Sequence, residues 1–241
     1  MNYVWLPINI IQGLIILVWT AACGLLGCAL RLVGVPSSAI ILLLSRVVWG
    51  PFICTVSGVR VTLLGKEHIR LKHPAIYVAN HASLYDIVAL ARVFPVALFF
   101  IAKIELKKVP FLGQYMMLIG HIFVDRKNKE RSRASMQAAA LKIKSGKNVI
   151  SFPEGTRSKT GELLLFKRGA FMIAKEGNVP IVPVAITGAF DVLPSGRFSL
   201  RPGKIRVKVG KAIEPEEFEG KTVEEMASMA RERVASLLER P

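Results

Sequence analysis

Residues 75–86 read Ala75-Ile76-Tyr77-Val78-Ala79-Asn80-His81-Ala82-Ser83-Leu84-Tyr85-Asp86, an apolar run that stops at Asn80 and releases a histidine and an aspartate five positions apart. The apolar part, 76–79, has the length and composition of a short buried strand. Ser83, followed three residues later by Asp86 and then by Ile87, Val88 and Leu90, is a capping-box signature that opens a helix. Five residues along an ideal helix is a rotation of about 140°, which would turn the two side chains apart. With His81 in the turn before the helix and Asp86 in its first turn, they meet instead. A carboxylate so placed accepts the Nδ1 proton of His81, fixes its tautomer and leaves Nε2 to take a proton from a substrate hydroxyl. The same residues also suit a plainer arrangement, in which Asp86 caps the helix and His81 is a hydrogen-bonded turn residue.

A second strand-like run, 148–152, ends in Phe152-Pro153-Glu154-Gly155-Thr156-Arg157-Ser158. Gly155 permits a backbone turn in which amides and the Arg157 fork converge on one anion, such as a phosphate; the alternative is a surface loop with Arg157 paired to Glu154. Lys103 follows the run 98–102 and Arg126 follows the run 122–124, so both stand at strand ends, where ligands gather in α/β sheets.

Taken with Asn80–Asp86, with Gly120-His121-Ile122-Phe123-Val124-Asp125-Arg126 and with Ile181-Val182-Pro183-Val184, the chain resembles the glycerolipid acyltransferase family over about residues 75–190, most closely its 1-acyl-sn-glycerol-3-phosphate (lysophosphatidate) acyltransferases. The resemblance implies that His81 and Asp86 are catalytic and that Arg126, Glu154, Gly155, Thr156 and Arg157 bind substrate, to which the strand-end position adds Lys103. It implies transfer of an acyl chain from acyl-CoA or acyl carrier protein to the sn-2 hydroxyl of lysophosphatidate, a step of phospholipid biosynthesis that gives phosphatidate and needs no metal or redox cofactor. Other readings stay open. One is a glycerol-3-phosphate sn-1 or lyso-ornithine lipid acyltransferase of the same family. Another is a membrane-bound lipid or thioester hydrolase, against which the lack of a Gly-x-Ser-x-Gly motif counts. A third is a non-enzymatic basic membrane adaptor. His121 stands at a variable position of its block, and a structural role is expected for it.

The 241 residues suffice for one sizeable core with an appendage. A formal charge of +16 admits nucleic acid or an anionic membrane as partner. Hydrophobic content of 52% and a mean hydropathy of +0.43 favour the membrane surface and no nucleic acid. Cys23, Cys28 and Cys54 lie in apolar stretches without metal-ligand spacing and read as small hydrophobes. From residue 56 onward strands are expected at 59–64, 76–79, 98–102, 122–124, 149–152, 181–186 and 205–209, and helices at 86–92, 111–119, 130–145 and 168–176. A last helix opens at Thr222 with Glu225 three residues on. The fold class is α/β, a mixed sheet layered with helices.

Residues 8–30 carry no charge; at about 1.5 Å per residue they give roughly 35 Å of helix, enough to cross the hydrocarbon core. Lys and Arg are lacking before residue 8, which argues against a cleaved signal peptide. After Arg31 and the turn at 34–38, a second apolar segment, 39–49, is interrupted by Arg46 and expected to close at Gly50-Pro51. Residues 1–55 therefore read as a membrane-anchoring helical hairpin and 56–241 as the catalytic domain. Most Lys and Arg follow residue 50, which places that domain at the cytoplasmic face of the cell membrane. Clusters such as Lys107-Lys108 add attraction to anionic lipid. The full chain should co-sediment with neutral phosphatidylcholine vesicles at about 1 M salt, where the Debye length is roughly 3 Å. Release under that condition would mean that the basic surface, rather than the hairpin, holds it.

Overall fold

The apolar runs of the second part form β1 (Val59–Leu64), β2 (Ile76–Ala79), β3 (Leu98–Lys103), β4 (Ile122–Val124), β5 (Asn148–Ser151), β6 (Ile181–Thr187) and β7 (Gly203–Val209) in the computed structural model, which describes residues 5–71, 73–125 and 129–239. They make one sheet in the order β1-β7-β6-β2-β5-β3-β4. Neighbours are parallel except β6 and β7, which are antiparallel, so the sheet is mixed as expected. Around it stand α1 (Trp5–Leu32), α2 (Ser37–Ile41), α3 (Gly50–Ser57), α4 (Tyr85–Val93), α5 (Leu112–Ile119), α6 (Lys129–Lys144), α7 (Gly169–Gly177), α8 (Ala189–Val192) and α9 (Val223–Glu239).

The strand sequences follow from this layering. β2 and β5 are buried at every residue, as unbroken apolar runs covered on both faces must be, whereas the edge strand β1 alternates buried and open positions. Along β2 the period of two divides the core: Ile76 and Val78 pack with Val149, Phe171, Ile181 and Met226, while Tyr77 and Ala79 pack with Leu90, Ile150 and Val182 on the opposite face. The expected capping box of the last helix is present, Thr222 N donating to Glu225 and Glu225 N to Thr222 Oγ1.

The parallel pairing sets up the site. Ile76 lies opposite Val149 and Val78 opposite Ser151, and β3 continues the alignment with Phe100 opposite Ile150. The C-terminal ends of β2, β5 and β3 therefore open on the same edge of the sheet, and His81 and Glu154 each stand three residues beyond a matched pair.

The N-terminal helices pack on α4, α5 and β1. α1 carries few polar side chains, and they face the protein: Asn9 exchanges two hydrogen bonds with the Leu200 backbone (2.9 and 3.1 Å), Gln12 donates to Val56 O (3.0 Å), and Thr20 Oγ1 accepts from Trp49 Nε1 (2.9 Å). The other side of α1 shows bare aliphatic groups, with Leu17 63% and Val18 68% exposed. Against the expectation of a stop at Gly50-Pro51, the second apolar helix runs unbroken over Ser37–Ser57. Its middle, Leu42–Trp49, is π-wound, and Pro51 follows in α3, inside the continuous helix. Gly58, at φ +65°, ends the helix. Ile40, Ile41 and Leu44 join the same buried cluster as the sheet, so the segment is part of the core.

Gly27 lets α1 approach α5, since a Cβ there would come within 2.4 Å of Tyr115 Cε2 and 3.0 Å of Leu44 Cδ1. Gly27→Ala should destabilise the protein by roughly 1–3 kcal/mol through overpacking. Leu17→Ala on the bare face should stay within about 0.5 kcal/mol. Thermal unfolding in detergent measures both, and equal effects would mean that α1 is not seated on the domain.

Candidate active site

His81 leaves β2 in the turn before α4, and Asp86 lies in the first turn of that helix with no exposure at all. The two meet as the spacing requires, His81 Nδ1 standing 2.8 Å from Asp86 Oδ2. The same oxygen accepts the amides of Ala82 (2.8 Å) and Ser83 (2.9 Å), so the carboxylate is fixed from three sides. The helix start differs from the expected box in one respect. Ser83 Oγ accepts from Tyr85 N and donates to Leu193 O, tying the turn to the loop after α8. Asp86 still closes the box from its side by taking the Ser83 amide. These amides are committed to the turn and do not face a substrate.

The imidazole is 15% exposed, and among the described residues its Nε2 makes no hydrogen bond. Its ring stacks on Phe152, centroids 4.1 Å apart and planes 16° from parallel. The adjacent Asn80 binds β6 with both ends of its amide, donating to Ile186 O (2.9 Å) and accepting from Ile186 N (2.8 Å). Neither Phe152 nor Asn80 was singled out from the sequence, although each is the residue next to a motif histidine or proline at a strand end. A flat ring and a two-ended amide are what such positions use for orientation.

Glu154 reaches across from β5. It is 2% exposed, and its Oε1 accepts the His81 amide at 2.9 Å while Ser158 N donates to His81 O at 2.8 Å. Burial pushes the Glu154 carboxyl up to about 7, and nearby Asp86 adds to this; the His81 and Leu164 amides and Arg231 pull the other way. The carboxyl thus grips the turn at His81 from behind and makes no ion pair with Arg157. Gly155, at φ +74°, makes the bend that follows, close against Lys167. Thr156 is exposed and Arg157 half-buried with no ion pair among the described residues. Lys103 is exposed at the end of β3, one strand beyond β5. Arg126 lies outside the described residues. His121 is built into the sheet: Nδ1 accepts Phe100 N at 3.0 Å, and burial with Lys142 beside it holds the ring down at about 4, well below the usual imidazole value. Among the described residues no three His, Cys, Asp or Glu stand together as metal ligands.

Residues 60–187, which contain His81, Asp86, Phe152 and the 154–157 turn, match the family model described as Acyltransferase. The chain belongs to the acyltransferase family. It is 35% identical over 184 residues to the 1-acyl-sn-glycerol-3-phosphate acyltransferase of Saccharomyces cerevisiae, covering 75% of this chain and 60% of that protein. To 1-acyl-sn-glycerol-3-phosphate acyltransferase alpha of Mus musculus it is 34% identical over 176 residues, 72% of this chain and 60% of the other. The chain thus spans about 60% of the length of these relatives. The crystal structure of the 1-acyl-sn-glycerophosphate (LPA) acyltransferase PlsC from Thermotoga maritima superposes with a TM-score of 0.82 at 28% identity, over 100% of this chain and 99% of that one.

The Glu154 geometry has a pH signature. Its folded value, about 7, lies above the ordinary 4.5, so the folded state holds the proton more tightly and loses stability as pH rises through that interval. Glu154→Gln cannot release a proton, so the fall in thermal midpoint from pH 4.5 to 7 should be shallower in the variant than in the wild type. Parallel curves would mean that folding leaves the Glu154 pKa unshifted.

Proposed function

We propose that this acyltransferase carries an acyl chain from a thioester to the free hydroxyl of a lysophosphatidate, giving phosphatidate. The observation that carries the reading is the His81–Asp86 pair at 2.8 Å with Nε2 free, beside the turn of Gly155, Thr156 and Arg157. The names of the relatives and of the Thermotoga structure support the acceptor.

A hydroxyl is a poor nucleophile at neutral pH, so a base with a pKa near about 6.5 must withdraw its proton as the new bond forms. His81 Nε2 takes that proton while the hydroxyl oxygen attacks the thioester carbonyl. Asp86 Oδ2 accepts the Nδ1 hydrogen bond and stabilises the imidazolium. The C–S bond then breaks, and the imidazolium returns the proton to the leaving thiolate of coenzyme A or acyl carrier protein. Charge and atoms balance without a covalent enzyme intermediate. Arg157, with Lys103 at the neighbouring strand end and Arg126 by its motif, holds the phosphate and so aligns the hydroxyl against the base. Positioning of this kind is worth several kcal/mol. Residues 1–55 anchor the catalytic domain, 56–241, on the cytoplasmic face of the membrane, where both substrates are met.

Product mass from purified protein, lysophosphatidate and a panel of acyl thioesters tests the reaction; release of free fatty acid alone would favour a hydrolase. His81→Ala should lower turnover by about 10² to 10⁴ with vesicle binding intact, and Asp86→Asn by less. Full activity in either would remove these residues from the mechanism. Arg157→Ala removes a charge-assisted contact worth about 1.5–3 kcal/mol, so KM for lysophosphatidate should rise roughly ten- to a hundredfold while KM for the thioester moves little. With a monoacylglycerol, which lacks the phosphate, the variant should be no worse than the wild type. Equal weakening of both acceptors would show that Arg157 supports the fold.

A further inference from the structure

Arg231 stands on α9, outside the matched residues 60–187. The helix is fixed by Met226, Ala230 and Val234, all fully buried. From this rigid base the Arg231 guanidinium reaches the loop beyond the 152–158 turn, where Nε donates to Leu164 O and Nη2 to Leu163 O, both at 3.0 Å. Two donors on successive carbonyls use the planar fork that arginine has and lysine lacks. Lys167 N donates to Pro153 O at 2.8 Å, so the loop is pinned at its far end to the residue before Glu154. The Leu164 amide and the Arg231 guanidinium both favour the ionised Glu154 carboxylate, whose Oε1 holds the His81 amide. Hydrogen bonds thus join α9 to the loop and Glu154 to the backbone of the base, and between them the Leu164 amide lies close enough to Glu154 to favour its ionised form.

We propose that Arg231 is a positioning residue for the catalytic turn, holding the Leu163–Leu164 segment over Glu154 so that Glu154 holds the backbone at His81. Its kinetic consequence rests on the acyl-transfer reading above, and its structural consequence does not. Among the described residues the charged groups that bear on Glu154 are Asp86 from the first turn of α4 and Arg231 from α9; His81 meets it through its backbone amide, and Lys167 stands against the next residue, Gly155. Removing Arg231 takes away a cation that favours ionised Glu154, so the carboxyl binds its proton to higher pH. The ionised form is the stronger acceptor for the His81 amide, and the acid limb of the pH–rate profile should move upward.

The test uses the full chain in detergent, with Arg231→Met and Arg231→Lys compared by amide hydrogen exchange and by kinetics. In Arg231→Met, exchange should quicken in segments 81–86 and 163–167 while 226–234 keeps its protection. In the same variant kcat should fall about ten- to a hundredfold, as expected for a displaced base, with KM for lysophosphatidate little changed. Arg231→Lys, keeping the charge and one carbonyl bond, should be intermediate in exchange and leave the acid limb nearer its wild-type position. In a Glu154→Gln background, Arg231→Met should move the limb no further. Unchanged exchange at 81–86 together with an unmoved acid limb in Arg231→Met overturns the proposal. Should that variant lose protection in 226–234 as well, Arg231→Lys decides: unaltered exchange at 163–167 overturns the proposal, and a selective rise there supports it. A wild type that transfers no acyl group, yet shows the selective exchange change on mutation, would sink the proposed function and leave the positioning role standing.

Discussion

A hydrogen bond from the His81 amide to a buried carboxylate on another strand exists only because β2 and β5 lie side by side, parallel and in register. A slip of one residue would turn every side chain of a strand to the opposite face. It would also bring Pro153 or Gly155, neither of which has a side-chain acceptor, to the place of Glu154. The register is held by core packing on both faces, by Ala75 N donating to Asn148 Oδ1, and by Asn80 gripping β6 on the other side. Chemistry on β2 is thus positioned by neighbours on two sides. Burying Glu154 is costly, and its carboxyl responds by rising to about 7. An isolated buried carboxylate would rise further; the amides and Arg231 keep this one near the balance point.

Much of this was legible in the sequence because each strand is an apolar run with a polar stop. The runs at 59–64, 76–79 and 122–124 coincide with β1, β2 and β4, and the others differ at their ends by one or two residues. The pairing of His81 with Asp86 followed from a strand-to-helix turn whose two halves have separate periodicities. What was hidden has a common cause. Glu154 shared a motif with Arg157 and so read as a surface or ligand group, and only the β2–β5 register shows that it faces inward. Arg231 is 77 residues from Glu154 in sequence, on a helix whose apolar stripe gives no sign of its polar edge. The continuation of the second apolar helix through Gly50-Pro51 depends on π-winding upstream, which local propensity does not encode.

The first helix illustrates a different kind of constraint. An apolar segment with three polar residues reads as imperfectly hydrophobic, yet Asn9 and Gln12 are satisfied by the domain and Thr20 by Trp49 of the second apolar helix. Left unpaired in hydrocarbon, such groups would cost several kcal/mol each. Paired, they fix which face of the helix meets the protein and which meets its surroundings.

That seating has a consequence for how the molecule moves. A tether on a flexible linker lets its cargo tumble above a surface, presenting the active edge only a fraction of the time. Here the helix is tied at Asn9 to the Leu200 backbone, at Thr20 to Trp49 of the second apolar helix and at Gly27 to Tyr115 of α5, so roll and tilt are shared by the helix and the domain alike. Whatever the bare face of α1 meets, the domain is then held against it at one height and one angle. A push on that face reaches the domain that carries His81 as a shift of one packed body, with no slack linker to absorb it.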